Sequence, residues 1–121
     1  MKRIISLLAM GAAGAAIVLA VTPFAGARST AAQATTIKVT AKEFKFILSK
    51  KSAPHGKVTF KVTNKGHLKH DFKINGKRTA LIGPGKTARL TVTFHKKGRY
   101  TFICTVPGHA AAGMRGVFIV R

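Results

Sequence analysis

A cysteine, a histidine and a methionine stand at equal intervals near the C-terminal end of the chain. Cys104 is the only cysteine, His109 is the last histidine, and Met114 is the only methionine outside the first ten residues. Thiolate and thioether are soft metal ligands, and imidazole binds several transition metals. Most residues between the three are small, so a tight loop could bring their side chains to one point. The segment 102–116 therefore predicts a metal site.

A lone cysteine has more than one interpretation. In an exported protein such a thiol can be free and buried, can form a bridge between two chains, or can bind a metal as a thiolate. A disulfide within this chain is excluded, because Cys104 has no partner. A bound metal would also supply some of the stability that small exported domains often draw from disulfides.

His70 is the candidate for a second imidazole ligand. It shares the core-facing parity of its predicted strand with Phe72 and Ile74, and it stands at the N-terminal end of that strand. Two imidazoles and one thiolate in a trigonal arrangement, with a weak axial thioether, form a blue-copper site. The sequence therefore indicates one copper ion with four ligands: His70, Cys104, His109 and Met114.

The remaining histidines are weaker candidates. On a strand, His67 would face away from His70, whereas in a loop over residues 66–71 it could be an alternative ligand or support one. His55 and His95 lie near turns or lysines, and we expect both to be exposed to solvent.

Alternating apolar residues predict the elements that position these ligands. Period-two patterns run through residues 37–48, 58–62, 70–74, 90–94 and 100–104, with Gly- or Pro-containing turns between them. Many short strands at regular spacing favour an all-β sandwich or barrel. No helical periodicity is evident after residue 35.

Two features interrupt the alternation. The parity changes near Ala41–Glu43, which indicates a bulge or a change of strand. The run Val117–Val120 is continuously apolar, which predicts a strand that is covered on both faces.

The N-terminal segment has the pattern of a targeting sequence. Lys2 and Arg3 precede an apolar run, Ile4–Val21, and Pro23 and two Ala-x-Ala motifs follow it. The pattern predicts a secretory signal peptide, and an uncleaved membrane anchor is the alternative.

These patterns divide the chain into two parts. Residues 1–34 are assigned to a signal peptide or membrane anchor with a short linker, and residues 35–121 to a single small domain. We expect a periplasmic or extracellular protein, either free or anchored through residues 4–21.

On these motifs the chain resembles the cupredoxins, the blue copper family that includes plastocyanin and azurin. The resemblance rests on His-Asp-Phe at 70–72 and on YTFICTVPGHAAAGM at 100–114. It implies a Greek-key β-sandwich whose first histidine ligand lies near the middle of the domain. It also implies that the other three ligands share one C-terminal loop, and that electrons pass through the edge of His109.

One position departs from the family pattern. The family usually has asparagine after its first histidine ligand, where this chain has Asp71. We expect Asp71 to brace the cysteine loop by accepting a hydrogen bond from a backbone N–H, such as that of Thr105. An ionised Asp71 cannot donate a hydrogen bond. Its charge near copper favours Cu(II), and the many surrounding cations oppose that effect.

The net charge of the chain is strongly positive. It carries 22 Lys and Arg residues against two acidic residues, for a net charge of +20, and 19 of the cations lie in residues 35–121. Such an excess bears on partners rather than on the fold. We expect an acidic redox protein, such as a cytochrome or oxidase domain, or an anionic membrane surface. The chain carries no nucleic-acid-binding motif, so we expect no nucleic-acid partner, and we expect a monomer.

A closed site with four protein ligands favours electron transfer over catalysis, because it leaves no position for a substrate. The alternative is an exported copper chaperone or storage protein without an electron-transfer role. Chaperone sites are typically exchangeable and rich in methionine or histidine, whereas residues 35–121 contain one methionine. A multicopper enzyme would need more copper ligands and a second domain.

Overall fold

The structure, a computed structural model, describes residues 34–121. These residues contain nine β-strands. The strands are β1 Thr35–Lys42, β2 Lys45–Leu48, β3 Ser52–Ala53, β4 Gly56–Asn64, β5 Lys73–Ile74, β6 Lys77–Arg78, β7 Thr87–Phe94, β8 Gly98–Ile103 and β9 Arg115–Val120. The predicted signal or anchor over residues 1–34 lies outside the described residues except for Ala34, so it stays a prediction.

The strands form two mixed sheets. One has four strands in the order β2-β1-β4-β7, and the other has five in the order β3-β9-β8-β5-β6. The pairs β1–β4 and β3–β9 are parallel, and the other neighbours are antiparallel. The expectation of an all-β sandwich is confirmed. None of the described residues belongs to a helix with the length and apolar character needed to cross a membrane.

Aromatic rings join the two sheets. The ring centroid of Phe60 on β4 lies 5.1 Å from that of Phe72 and 5.3 Å from that of Phe118 on β9. Phe46 on β2 makes edge-to-face contacts with Phe72 and with Phe102 on β8. Aromatic pairs at these distances contribute stability beyond their buried area. The core of the sandwich is therefore largely phenylalanine.

Burial follows the predicted parity in the long strands, and β4 buries every second residue from Val58 onward. The parity change is a change of strand, because β1 ends at Lys42 and β2 begins at Lys45. The expectation for residues 117–120 is wrong: Phe118 and Val120 are buried, whereas Val117 and Ile119 keep partial exposure. A two-layer sandwich covers only one face of each sheet, so β9 alternates despite its apolar sequence.

Three connections meet at one end of the sandwich, which we call the ligand end. They are the turn 43–44 between β1 and β2, the loop 65–72 between β4 and β5, and the loop 104–114 between β8 and β9. The side chain of Glu43 contacts the loop 65–72, and the ring of Phe44 contacts His109. The topology thus brings residues far apart in sequence to one site.

Candidate metal centre

Three potential ligand atoms converge at the ligand end. His70 Nδ1 lies 3.1 Å from His109 Nδ1 and 4.0 Å from Cys104 Sγ, and the sulfur lies 3.7 Å from His109 Nδ1. All three residues are buried. A point equidistant from the three atoms lies about 2.1 Å from each, within the range of about 2.0–2.3 Å that imidazole and thiolate ligands show with zinc. The three side chains are therefore spaced to hold one metal ion.

The donor set points to copper. Two imidazole nitrogens and one thiolate in a trigonal arrangement form the equatorial plane of a blue-copper site. Copper bound here would supply a one-electron couple between Cu(I) and Cu(II). The chain's contribution is to hold the three donors in place and to keep water away from them, since His70, Cys104 and His109 are 0%, 1% and 8% exposed.

His70 is fixed through both its backbone and its ring. Its backbone N–H donates to the Ile82 carbonyl at 3.2 Å, and its own carbonyl accepts from Ile82 N–H at 2.7 Å. Its ring Nε2 lies 2.5 Å from Glu43 Oε2. An ionised carboxylate can only accept, so Nε2 carries the ring proton and Nδ1 presents its lone pair to the site. His70 is thereby held in the tautomer that a metal requires.

The loop 104–114 closes on itself through backbone hydrogen bonds. Cys104 N–H donates to the Met114 carbonyl at 3.1 Å, and Met114 N–H donates to the His109 carbonyl at 3.0 Å. Gly108 and Gly113 adopt φ angles of 84° and 129°, which side chains disfavour. The fully buried Met114 is thus tied by its backbone to two ligands, and its assignment as the axial ligand stays a prediction.

Asp71 braces the cysteine loop, and this expectation is confirmed. Its Oδ1 accepts the Thr105 N–H at 2.6 Å, and its Oδ2 accepts from the Thr105 hydroxyl. The Asp71 N–H itself donates toward Cys104 Sγ at 3.4 Å. Burial raises the pKa of the Cys104 thiol. Copper held by Cys104 would need the thiolate, so its binding would release the thiol proton.

The other three histidines lie outside the cluster. The side chains of His55, His67 and His95 are exposed, as expected for His55 and His95. His67 contributes its backbone N–H, which donates to Glu43 Oε1 at 2.7 Å. His67 is therefore not one of the converging ligands, although its loop position lets its backbone hold Glu43.

Two residues that were not predicted from the sequence contact the imidazoles, and both lie in the turn 43–44. Glu43 binds His70, and Phe44 packs edge-on against His109 with ring centroids 5.0 Å apart. The pKa of Glu43 is lowered to about 2, first because the His67 N–H donates to it and second because His70 does. A signal was present in the composition: Glu43 and Asp71 are the only acidic residues of a chain with net charge +20.

Comparison with known proteins supports a copper site. The copper-resistant cuproprotein CopI of Pseudomonas aeruginosa is 44% identical over 54 residues, which cover 45% of this chain and 28% of that protein. The protein of the same name from Vibrio cholerae is 30% identical over a match that covers 50% of this chain and 48% of that protein. The chain thus spans at most about half the length of these relatives.

The fold also has a close structural counterpart. Dithionite-reduced auracyanin from Roseiflexus castenholzii superposes with a TM-score of 0.64 and 25% identity, over 72% of this chain and 97% of that chain. The family model of the cupredoxin-like domain matches residues 14–120. This match covers most of the chain, and the two-sheet sandwich and the buried set of two imidazoles and a thiolate are consistent with it. The protein therefore belongs to the cupredoxin-like family of copper proteins.

Proposed function

We propose that the protein is an exported, mononuclear blue copper protein that carries single electrons between redox partners. The observation that supports this most is the fixed geometry of the three converging donors. Hydrogen bonds within the chain hold His70, Cys104 and their loops independently of the metal. A rigid set of donors limits rearrangement when the metal changes oxidation state, and low rearrangement favours fast electron transfer.

The burial of the site supports a carrier rather than an enzyme. His70, Cys104 and Met114 are at most 1% exposed, and His109 is 8% exposed. A substrate would need an open coordination position, as catalytic metal sites provide. An electron needs only a short path to the surface. We therefore assign no catalytic reaction to this site.

His109 is the best candidate for that path. Its neighbours Pro107, Gly108, Ala111 and Ala112 are exposed and uncharged. Phe44, which packs on the His109 ring, is itself 38% exposed. We call these residues and Phe44 the His109 patch. A small uncharged patch suits brief encounters with a redox partner, which we propose is acidic because the chain is so basic.

Copper resistance is the second candidate function. It is favoured by the 44% identity to the copper-resistant cuproprotein CopI of P. aeruginosa. In that role the protein would bind copper outside the cytoplasm without passing electrons to a partner. The predicted export signal in residues 1–34 is compatible with both candidates.

One pair of measurements separates the two functions. Electron self-exchange between the Cu(I) and Cu(II) forms can be followed by NMR line broadening, and copper release can be followed with an excess of a coloured chelator. An electron carrier exchanges electrons much faster than it releases copper in either oxidation state. Slow self-exchange together with rapid release of copper to the chelator would instead favour copper handling.

A further inference from the structure

We propose that Glu43 is a positioning residue of the copper site. Its carboxylate fixes the His70 ring with Nδ1 toward the metal, and it ties the loop that carries His70 to the turn 43–44. The inference rests on copper binding at the proposed site and does not depend on which redox partner the protein has, or on whether it has one.

Both oxygens of the Glu43 carboxylate are engaged. Oε2 lies 2.5 Å from His70 Nε2, and Oε1 accepts the backbone N–H of His67 at 2.7 Å. One carboxylate therefore holds the ring of a ligand and the backbone three residues before it. The Glu43 side chain is 21% exposed, so water competes only partly for these hydrogen bonds.

The backbone of the same loop has an independent anchor in Asn64. Its Nδ2 donates to the carbonyls of Leu68 and Ile82, both at 2.8 Å, and its Oδ1 accepts the N–H of Gly66 at 2.8 Å. Asn64 contacts only the backbone in these hydrogen bonds, whereas Glu43 contacts the imidazole itself. The specific effect of Glu43 is therefore expected on the ring of His70.

Such a contact changes the metal ligand in two ways. A carboxylate that accepts from the remote N–H of a ligand histidine fixes its tautomer and raises the basicity of the ligating nitrogen. Its negative charge also favours Cu(II) over Cu(I), because the higher charge of Cu(II) is attracted more strongly. Glu43 should therefore strengthen Cu(II) binding and lower the reduction potential.

Gly66 provides the space that the carboxylate occupies. A Cβ atom at this position would lie 1.9 Å from Glu43 Oε2 and 2.7 Å from Glu43 Cδ. Gly66→Ala therefore displaces the carboxylate and keeps its charge. Glu43→Gln does the opposite, since it keeps the shape, removes the charge and turns an NH₂ group toward one of two N–H donors. The two substitutions separate contact from charge.

The experiment compares the wild type with Glu43→Gln, Gly66→Ala and the double variant Glu43→Ala/Gly66→Ala. Three quantities are measured: Cu(II) affinity by competition with a chelator, reduction potential, and the His70 tautomer in the copper-free protein by ¹⁵N NMR. We expect both single variants to lose about 10–100-fold in Cu(II) affinity, the usual effect of removing a group that supports a metal ligand. We also expect a higher potential in Glu43→Gln and a mixture of His70 tautomers in both.

The double variant and a control test the mechanism. Glu43→Ala alone is measured as well, and the double variant should match it, because alanine at residue 66 then meets no carboxylate. Such non-additivity indicates direct coupling between residues 43 and 66. Gly83→Ala is the matched control, since its Cβ would have only Lys86 Cγ nearby, at 3.8 Å. It should leave all three quantities unchanged.

Two results would overturn the proposal. The first is a Gly66→Ala protein with wild-type affinity and a wild-type His70 tautomer. The second is a Glu43→Gln protein in which only the melting temperature falls. In that case Glu43 would stabilise the fold without influencing His70 as a metal ligand. If Gly66→Ala does not fold, wild-type affinity and tautomer in Glu43→Gln and in the double variant give the same negative answer.

Discussion

Asp71 accepts two hydrogen bonds from Thr105, one from the backbone N–H at 2.6 Å and one from the hydroxyl. Thr105 directly follows Cys104, and Asp71 directly follows His70. The carboxylate therefore links the two chain segments that bring a thiolate and an imidazole together. With Glu43 on His70, both acidic side chains of the chain lie beside the metal site.

We expect Asp71→Asn to raise the reduction potential and to change the visible spectrum little. The amide oxygen still accepts the Thr105 N–H, and the Thr105 hydroxyl can rotate to accept from the amide NH₂. The lost charge favours Cu(I) by on the order of 1–2 kcal/mol, which corresponds to some tens of millivolts, if the effective dielectric constant is about 20.

Thr93→Lys is the control for this prediction, because it changes the net charge by the same +1 at the end of the β4–β7 pair away from the ligand end. Voltammetry of the two variants under identical salt conditions separates local from global charge effects. Equal shifts in both would mean that Asp71 has no special influence on the copper.

We expect Cys104→Ser to remove the intense blue or blue-green colour of the oxidised protein. That colour comes from charge transfer between a thiolate and Cu(II), and serine has no thiolate. The copper-free variant should still fold, since a hydroxyl in place of one buried thiol leaves the phenylalanine core intact. Visible absorption measures the first outcome, and circular dichroism with thermal unfolding measures the second. A wild-type protein that binds one Cu(II) without colour would contradict the blue-copper assignment.

Met114→Gln should lower the reduction potential while copper stays bound. A thioether is a weak, soft donor that stabilises Cu(I), and an amide oxygen is a harder donor that stabilises Cu(II). The three converging donors are unchanged, so the loss of affinity should be small. The measurement is voltammetry combined with a copper-to-protein ratio after gel filtration. A metal-free variant would show that Met114 holds the loop rather than tunes the metal.

The sequence was sufficient to predict the fold and three converging ligands because those features have local signatures. The alternation of apolar residues predicted a buried His70, and His70 is buried, although it lies before β5 in the loop 65–72 and forms only an isolated bridge with Ile82. Asp71, predicted on the opposite face, is buried as well. Cys104 and His109 share one short loop, and its small residues let it turn tightly enough to bring the two side chains to one point. The hydrogen bond from the Thr105 N–H to Asp71 was predicted from the family resemblance, since the family's residue after the first histidine braces the cysteine loop and an ionised carboxylate can still accept there.

The sequence was not sufficient where a contact joins distant segments. Glu43 is 27 residues from His70 along the chain, and only the pairing of β1 with β4 brings them together. Phe44 follows the predicted alternation and yet is 38% exposed, because it covers His109 instead of entering the core. Whether β9 is covered on one face or on both likewise depends on how the two sheets pack, and the sequence of β9 alone does not determine this.

Phe60 should be the most sensitive of the core positions to truncation. Its ring lies within 6.3 Å of the rings of Phe72, Phe94 and Phe118, and it is fully buried. We expect Phe60→Ala to lower the free energy of unfolding by about 3–5 kcal/mol, from lost transfer energy and an unfilled cavity. Phe60→Leu should cost less, because it leaves a smaller cavity. Chemical denaturation of the copper-free forms measures both, and equal losses would show that the site collapses around either residue.

The basic surface and the uncharged His109 patch suggest how a partner approaches. In the proposed function, long-range attraction from many Lys and Arg side chains would steer an acidic partner toward the protein. Contact would then occur where charge is absent, at exposed residues such as Pro107, Ala111 and Ala112 beside His109. Steering and contact can therefore be disturbed separately, one by salt and the other by a single substitution.

Electron transfer to an acidic cytochrome should slow by about tenfold or more as the ionic strength rises from 10 mM to 0.5 M, because screening shortens the reach of the charges. Ala111→Glu should slow it further at every salt concentration without moving the visible spectrum, because it places a desolvation cost and a repulsive charge beside His109. Thr93→Glu carries the same charge change at the far end of β7 and should have a much smaller effect. Stopped-flow kinetics with the three proteins provides the comparison. Electron-transfer rates that depend neither on salt nor on the charge at residue 111 would mean that electrons leave at another site. The basic surface would then serve another purpose, such as adhesion to an anionic envelope.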